Sequence, residues 1–224
     1  YLGDESTYLT VSTHKLGTLS RGVVGLPFPY FYGHKSDGIF QNAEEVAAHV
    51  NKDGNLLQPN AQPGDVRFLD VDGDGDIDDD DRTYIGKGTP DWSFGLNVGF
   101  EWKGIDFSMV WQGVAGNSIF DATMRTDIPK MNRPAWILGR WTGEGTSNEI
   151  PRFSIDDTNK NWSTISDFFI KDASYFRLKN VTLGYTLPAK WTNVIFVKKL
   201  RVYASCENAF TFTRYNGFDP EISS

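Results

Sequence analysis

From Trp92 to Trp102 every second residue is apolar: Trp92, Phe94, Leu96, Val98, Phe100 and Trp102 alternate with Ser93, Gly95, Asn97, Gly99 and Glu101. A period of two held this long demands a β-strand with one apolar and one polar face. After Lys103 and Gly104 the pattern returns, with Ile105, Phe107, Met109 and Trp111 against Asp106, Ser108 and Gln112, breached at Val110. A third segment sets Val181, Leu183, Tyr185 and Leu187 against Asn180, Thr182, Gly184 and Thr186. Its upstream half is out of phase, with Phe176 and Leu178 opposite Arg177 and Lys179; a bulge or emergence from a membrane would each explain this. A fourth places Leu200, Val202, Ala204, Cys206, Phe210 and Phe212 against Arg201, Tyr203, Ser205, Glu207, Thr211 and Thr213.

These segments reach about ten residues or more, whereas an ordinary globular strand has about five or six. A tilted strand crossing a bilayer needs roughly nine to eleven, and Trp92 and Trp102 stand where interfacial aromatics belong. A chain of 224 residues with 14% aromatics and 22 glycines fits either a soluble β-sandwich or an outer-membrane barrel. The connections favour the barrel. The turn at Lys103 and Gly104 is tight and residues 188–199 make a modest link, but residues 115–173 and everything before Pro90 are long, polar and rich in Gly, Pro and Asn. Short turns alternating with very long loops is the periplasmic and extracellular asymmetry of outer-membrane barrels.

The expected fold is therefore all-β: an antiparallel transmembrane β-barrel segment of about four long strands. Residues 1–90 form an extracellular loop region, and residues 91–224 the strands plus a second long loop at about 115–173. Little regular structure is expected in the loops. The best helix candidate starts at Asn42 as N-cap, with Glu45 as capping-box partner. The alternative is a secreted, soluble β-sandwich that binds glycans. In a sandwich the apolar strand faces pack on a second sheet; in a barrel they form an outward band.

The net charge of −7 is concentrated, because residues 70–81 hold eight aspartates and no Lys or Arg, leaving the remainder near neutral. No basic stripe exists for nucleic acid. The segment DVDGDGDIDDDD matches a twelve-residue calcium loop, which needs oxygen ligands at positions 1, 3, 5, 7, 9 and 12 and Gly at 6. Asp70, Asp72, Asp74, Asp76 (through its backbone carbonyl), Asp78 (through water) and Asp81 hold those positions, Gly75 takes the turn, and Ile77 supplies the apolar anchor. One Ca2+ is expected on Asp70, Asp72, Asp74, Asp76 and Asp81, as a structural ion that fixes the strand beginning near Asp91. The departure is Asp81 where the helical version of the loop has Glu. The alternative is a solvated acidic loop, disfavoured because such close carboxylates repel.

Little else carries chemistry. Cys206 is alone, so there is neither an internal disulfide nor a cysteine metal cluster, and it falls in an apolar phase. His14, His34 and His49 lack metal-ligand spacing. Glu44 with Glu45, or Asp156 with Asp157, cannot be placed about one bond as glycosidase chemistry requires. In the polar phase, Asp106, Gln112, Arg201 and Glu207 are candidates to line a channel. Trp136, Trp141 and Trp162 are candidates to stack on a sugar or meet a lid; the plainer reading is that they pin the loop to itself.

Six blocks carry a family resemblance: FYGHKSDGIFQ at 31–41, PGDVRFLDVDGDG at 63–75, RWTGEGT at 140–146, Pro151 with Arg152, SYFRLKNVTLGYTLP at 174–188 and ENAFTFT at 207–213. In this order they resemble the C-terminal barrel part of SusC/RagA-family TonB-dependent transporters. The resemblance implies a barrel of roughly 22 strands with an N-terminal plug, in the outer membrane of Bacteroidetes. It also implies energy from TonB, a SusD-like surface lipoprotein as lid, and import of oligosaccharides or peptides. On this reading the plug, the TonB-contacting part, most of the barrel and the last strand lie outside the chain. Four strands alone would leave open edges in lipid, so the expected partners are outer-membrane lipid and the remaining barrel segments of the same polypeptide.

Overall fold

The computed structural model describes residues 8–14, 17–124 and 134–221. Its strands are β1 (Tyr8–His14), β2 (Gly17–Val23), β3 (Tyr30–Gly33), β4 (Ser36–Ile39), β5 (Val66–Phe68), β6 (Thr83–Lys87), β7 (Trp92–Trp102), β8 (Ile105–Ala115), β9 (Ser118–Phe120), β10 (Ile170–Asp172), β11 (Tyr175–Thr186) and β12 (Arg201–Thr213). Two short helices, α1 (Ala43–Ala48) and α2 (Ala189–Thr192), complete the set with several single 3-10 turns. The chain forms two units. One comprises Tyr1–Thr89 with Ile119–Lys171, the other Pro90–Ser118 with Asp172–Ser224.

The second unit is a four-stranded antiparallel sheet in the order β7, β8, β11, β12. The β7–β8 hairpin pairs without a register shift from Trp92 opposite Ala115 to Trp102 opposite Ile105. At its tip, Lys103 and Gly104 both have positive φ, as a two-residue hairpin loop requires. β8 then pairs with β11, and β11 with β12.

A bulge resolves the phase change in β11. Leu178 faces Trp111 but Asn180 faces Val110, so Lys179 is one extra residue against β8. Phe176 and Leu178 thereby share the face of Val181, Leu183 and Tyr185. β12 carries a further extra residue against β11, since Leu178 faces Phe210 and Asn180 faces Glu207, and Asn208 there adopts φ 51°. Val110 stays in the polar phase.

The apolar face has no second layer among the described residues. Trp92 is 73% exposed, and Phe94, Leu96, Phe100, Trp102, Leu183, Val202, Phe210 and Phe212 are exposed with it. That is the opposite of a sandwich, whose inward rows are buried, and it is what a barrel wall presents to lipid. Eleven residues at about 3.3 Å each span roughly 36 Å, which at a tilt of about 45° crosses a hydrocarbon layer of about 25 Å.

The first unit corrects one expectation. The loop region is not largely irregular: β1, β2, β3 and β6 make an antiparallel sheet in the order β1-β2-β3-β6, and β4 pairs with β5. These strands are short and their partners distant, as with Tyr30 opposite Lys87, so no local period announces them. The Asn42 cap forms, its Oδ1 accepting from the Glu45 N–H at 2.9 Å, but the Glu45 carboxylate reaches back to the N–H of Gln41 at 2.8 Å instead of that of Asn42.

Trp162, Phe168 and Phe169 form the unit's apolar core, with Phe120, Trp136, Ile137 and Ile150 packed around them. Each fully buried side chain of this size contributes about 1.5–3 kcal/mol. Beside it runs a buried polar network. Asp65 accepts from Arg152 Nε at 2.6 Å, from Asn161 Nδ2 at 2.8 Å and from the Gln62 N–H at 2.8 Å. Asn159 and Gln58 extend it, both donating to the Val66 carbonyl at 3.0 Å, and Gln58 Oε1 accepts from the Phe68 N–H at 2.9 Å. Residues far apart in sequence are thus tied through side-chain amides where no strand pairing reaches.

Candidate functional site

The acidic loop is shaped by its own backbone. Gly73 and Gly75 have φ of 78° and 100°, values that non-glycine residues rarely adopt. At Gly75 a Cβ would also lie 2.9 Å from Asn51 Nδ2, which donates to the Gly75 carbonyl at 3.1 Å. With the turn so tight, N–H groups point inward. Asp70 accepts from Gly73 and Gly75 at 2.6 and 3.1 Å, Asp72 from Asp74 at 3.1 Å, and Asp74 from Asp76 at 3.0 Å. The carboxylates of Asp70, Asp72 and Asp74 converge, with one oxygen of each within 4.8 Å of the others.

Asp81 plays a different part. It is buried, and its two oxygens accept from Val71 at 2.6 Å and Asp78 at 2.9 Å, clasping both ends of the loop. Asp76 and Asp78 are exposed, and Ile77 is half-buried. The Asp74 N–H holds the Asp72 carboxyl down, but desolvation and the charges of Asp74, Asp81 and Asp70 outweigh it and push Asp72 above the ordinary carboxylate value. The loop does not lead directly into the long strand, as its position before Asp91 suggested. It runs through a 3-10 turn at Asp79–Asp81 into β6, which pairs with β3, so what it braces is the loop sheet.

A cavity of about 490 Å³ adjoins the loop, walled by His34, Phe68, Ile77, Asp78, Arg82 and Lys160. Burial, then the Arg82 charge, hold the His34 imidazole below its ordinary pKa against the opposing pull of Asp81, Asp79 and Asp78. His49 is likewise lowered by burial, with Nε2 3.1 Å from the Phe68 carbonyl oxygen. The side chain of His14 lies outside the described residues.

The loop tryptophans are packed. Trp162 is buried in the core and Trp136 lies 6.3 Å from it, ring to ring. Trp141 covers Gly64, where a Cβ would run into the indole, and its Nε1 donates to Gln41 Oε1 at 3.3 Å. All three hold the loop to itself.

On the sheet, the polar phase carries its own network. Asp106 and Arg201 come together, Nε to Oδ1 at 2.9 Å and Nη2 to Oδ2 at 2.5 Å. The ion pair crosses Gly184, where a Cβ would lie 2.5 Å from both side chains. Asn180, Thr182 and Ser205 form a hydroxyl and amide ladder, and Glu207 stands opposite Asn180. Gln112 faces Arg177. Arg177 was not among the sequence candidates, yet it is the most connected side chain of this face. It donates to Thr211 Oγ1 at 2.9 Å, Glu221 Oε2 at 2.6 Å and Asp219 Oδ1 at 2.5 Å, and Lys179 also binds Glu221. The signal available was a pair of cations flanking Leu178 in an otherwise neutral strand; their partners some 40 residues on left no local trace. Asp65 and Arg152 escaped for the same reason.

No family model matches the chain. Among curated proteins it is similar to TonB-dependent receptor P3 of Formosa agariphila, at 32% identity over 86% of this chain and 18% of the relative. TonB-dependent receptor P26 of the same organism is 30% identical over 92% of this chain and 20% of its own length. TonB-dependent receptor SusC of Bacteroides thetaiotaomicron is 29% identical over 75% of this chain and 16% of its own. The chain thus spans about a fifth of the relatives it matches. Its fold is similar to that of the RagAB peptide importer in the closed-closed state, with a TM-score of 0.65 and 22% identity, over 100% of this chain and 23% of that one. With long strands whose apolar face is bare, and with these relatives, the chain belongs to the SusC-like TonB-dependent receptors of the bacterial outer membrane, as a segment of their β-barrel.

Proposed function

We propose that the receptor containing this segment imports oligosaccharides or peptides, energised through TonB and working with a SusD-like surface lipoprotein. The observation that carries this reading is the uncovered apolar face of an 11- to 13-residue-stranded sheet, backed by a polar face rich in hydroxyls, amides and compensated charge. Such a wall separates lipid from an aqueous interior. We assign it no reaction: Arg201 is held by Asp106, and Arg177 and Lys179 by Asp219 and Glu221. The test is uptake of labelled oligosaccharide and peptide mixtures by cells with and without the complete receptor, and with TonB disabled. Loss of uptake of one class in both deficient strains is the expected result; unchanged uptake of every oligomer overturns the reading.

We propose further that residues 70–81 bind one structural Ca2+. Asp70, Asp72 and Asp74 would supply carboxylate oxygens, Asp76 its backbone carbonyl, and Asp81 a remaining lone pair on an oxygen already held by an N–H. Three converging carboxylates, one with its pKa raised by its neighbours, are relieved by a hard cation. Calcium binding supports the folded loop by mass action and weakens as pH falls, because protons compete for Asp72. In titration calorimetry of the chelator-stripped receptor, one Ca2+ is expected per chain, and Asp72→Ala with Asp74→Ala abolishes the heat while leaving strand pairing intact. Absence of uptake by the native receptor removes the site.

A further inference from the structure

Residues 188–199 join β11 to β12 at the end of the sheet that also carries the Lys103–Gly104 turn, since Trp102, Ile105, Tyr185 and Val202 lie in one row. The connection is internally closed. The Leu187 N–H donates to Leu200 at 2.9 Å, Trp191 to Pro188 at 2.9 Å, Phe196 to Asn193 at 3.1 Å and Val197 to Thr192 at 3.1 Å. Its packing is inverted relative to a surface made for water. Thr192 is 1% exposed, while Trp191, Val194 and Phe196 are 57%, 78% and 97% exposed. The backbone bonds that shape the segment leave an indole and a phenyl on its surface.

Its charge is also one-sided. Lys190, Lys198 and Lys199 are present and no acid. Lys199 lines one recess with Asp106 and Arg201 of the polar face, which leaves Lys190 and Lys198. Lys190 Nζ stands 6.0 Å from the Trp191 ring, and across the same end Lys103 Nζ stands 4.7 Å from the Trp102 ring. Trp beside Lys, apolar body below and ammonium above, is the arrangement that suits a membrane–water boundary. The connection starts and ends in the apolar phase, at Leu187 and Leu200, where the apolar rows of β11 and β12 reach the end of the sheet.

We infer that residues 188–199 form an interfacial anchor that docks on the headgroup layer of an anionic phospholipid leaflet. Trp191, Val194 and Phe196 enter the acyl boundary, and Lys190 and Lys198 meet the phosphates. The inference rests on the outer-membrane barrel reading. It is tested in the full receptor in nanodiscs of phosphatidylglycerol or phosphatidylcholine, with Cys206→Ser and a nitroxide at Phe196→Cys. A second label at Phe94→Cys, on the apolar face of β7, reports on the barrel reading alone.

With both labels colliding with oxygen in preference to a water-soluble nickel chelate, the anchor stands. If the Phe94 label does so and the Phe196 label meets the chelate freely, or is shielded from both because another part of the protein covers it, the anchor is wrong and the barrel survives. If the Phe94 label is also open to the chelate, the barrel reading fails. Each lysine at an anionic surface favours docking by about fivefold. Lys190→Gln with Lys198→Gln should therefore lower the docked-to-free ratio by about 25-fold in phosphatidylglycerol and leave it unchanged in phosphatidylcholine. Equal behaviour in the two lipids overturns the assignment to anionic headgroups.

Discussion

Asp65→Ala is expected to unfold the loop unit under conditions in which the native receptor keeps it folded. The Asp65 carboxylate is fully buried, and four donor contacts end on it: Nε and Nη2 of Arg152 at 2.6 and 3.2 Å, Asn161 Nδ2 and the Gln62 N–H. Alanine leaves the Arg152 guanidinium, only about a fifth exposed, without its counter-charge. Removing one partner of a buried ion pair costs about 3–5 kcal/mol, enough to take up much of the stability of an ordinary domain. Hydrogen exchange on the full receptor is the measurement. The amides of Gly64 and Arg152, bonded to Phe40 and Gly64 carbonyls at 2.7 Å, should lose protection while those of β7 and β8 keep theirs. Retained protection at both amides would show that the network is dispensable.

Val98→Arg is expected to destabilise the inserted barrel strongly, whereas Asn97→Arg, one residue away, is expected to be tolerated. Val98 is near the middle of β7 on the apolar face, in a row with Met109, Val181 and Cys206. Arginine at the midplane of the lipid face of a barrel costs about 2–4 kcal/mol. Asn97 faces the other way, opposite Val110 and then Asn180, where water and polar groups accept a guanidinium. Urea refolding of the two full-length variants into vesicles gives the comparison. A large loss for Asn97→Arg and none for Val98→Arg would turn the sheet inside out and exclude the assignment of its faces.

The wall was legible because its physics is local. A lipid face and a water face force a period of two on every strand, and Trp92 to Trp102 shows it without a break. The bulge at Lys179 was half legible, and the irregularity near Asn208, which leaves the phase of β12 unchanged, was not. The phase slip at Leu178 shows in the sequence, but whether the strand bends or leaves the membrane depends on what β8 and β12 offer opposite. The loop unit was read poorly, since β3 needs β6 and Asp65 needs Arg152, and such pairings over 50 to 90 residues leave no periodicity. The Asp106–Arg201 pair sits between the two cases. Each residue was placed on the polar face from its phase, but their meeting depends on Gly184, a vacancy in the strand between them that lets two long side chains touch.

The discontinuity of the loop unit has a consequence for assembly. Its two stretches, Tyr1–Thr89 and Ile119–Lys171, flank the β7–β8 hairpin in the chain, and the Asp65–Arg152 bond closes over that hairpin. Long closures form late, because the loop entropy is lost before the contact rewards it. On this ground the local β7–β8 pairing is expected to precede closure of the loop unit. Once the unit has closed, both ends of the hairpin are tied into one folded body. The chain enters and leaves the hairpin from that one body, so the Asp65–Arg152 bond and the β7–β8 turn close a single circuit of backbone.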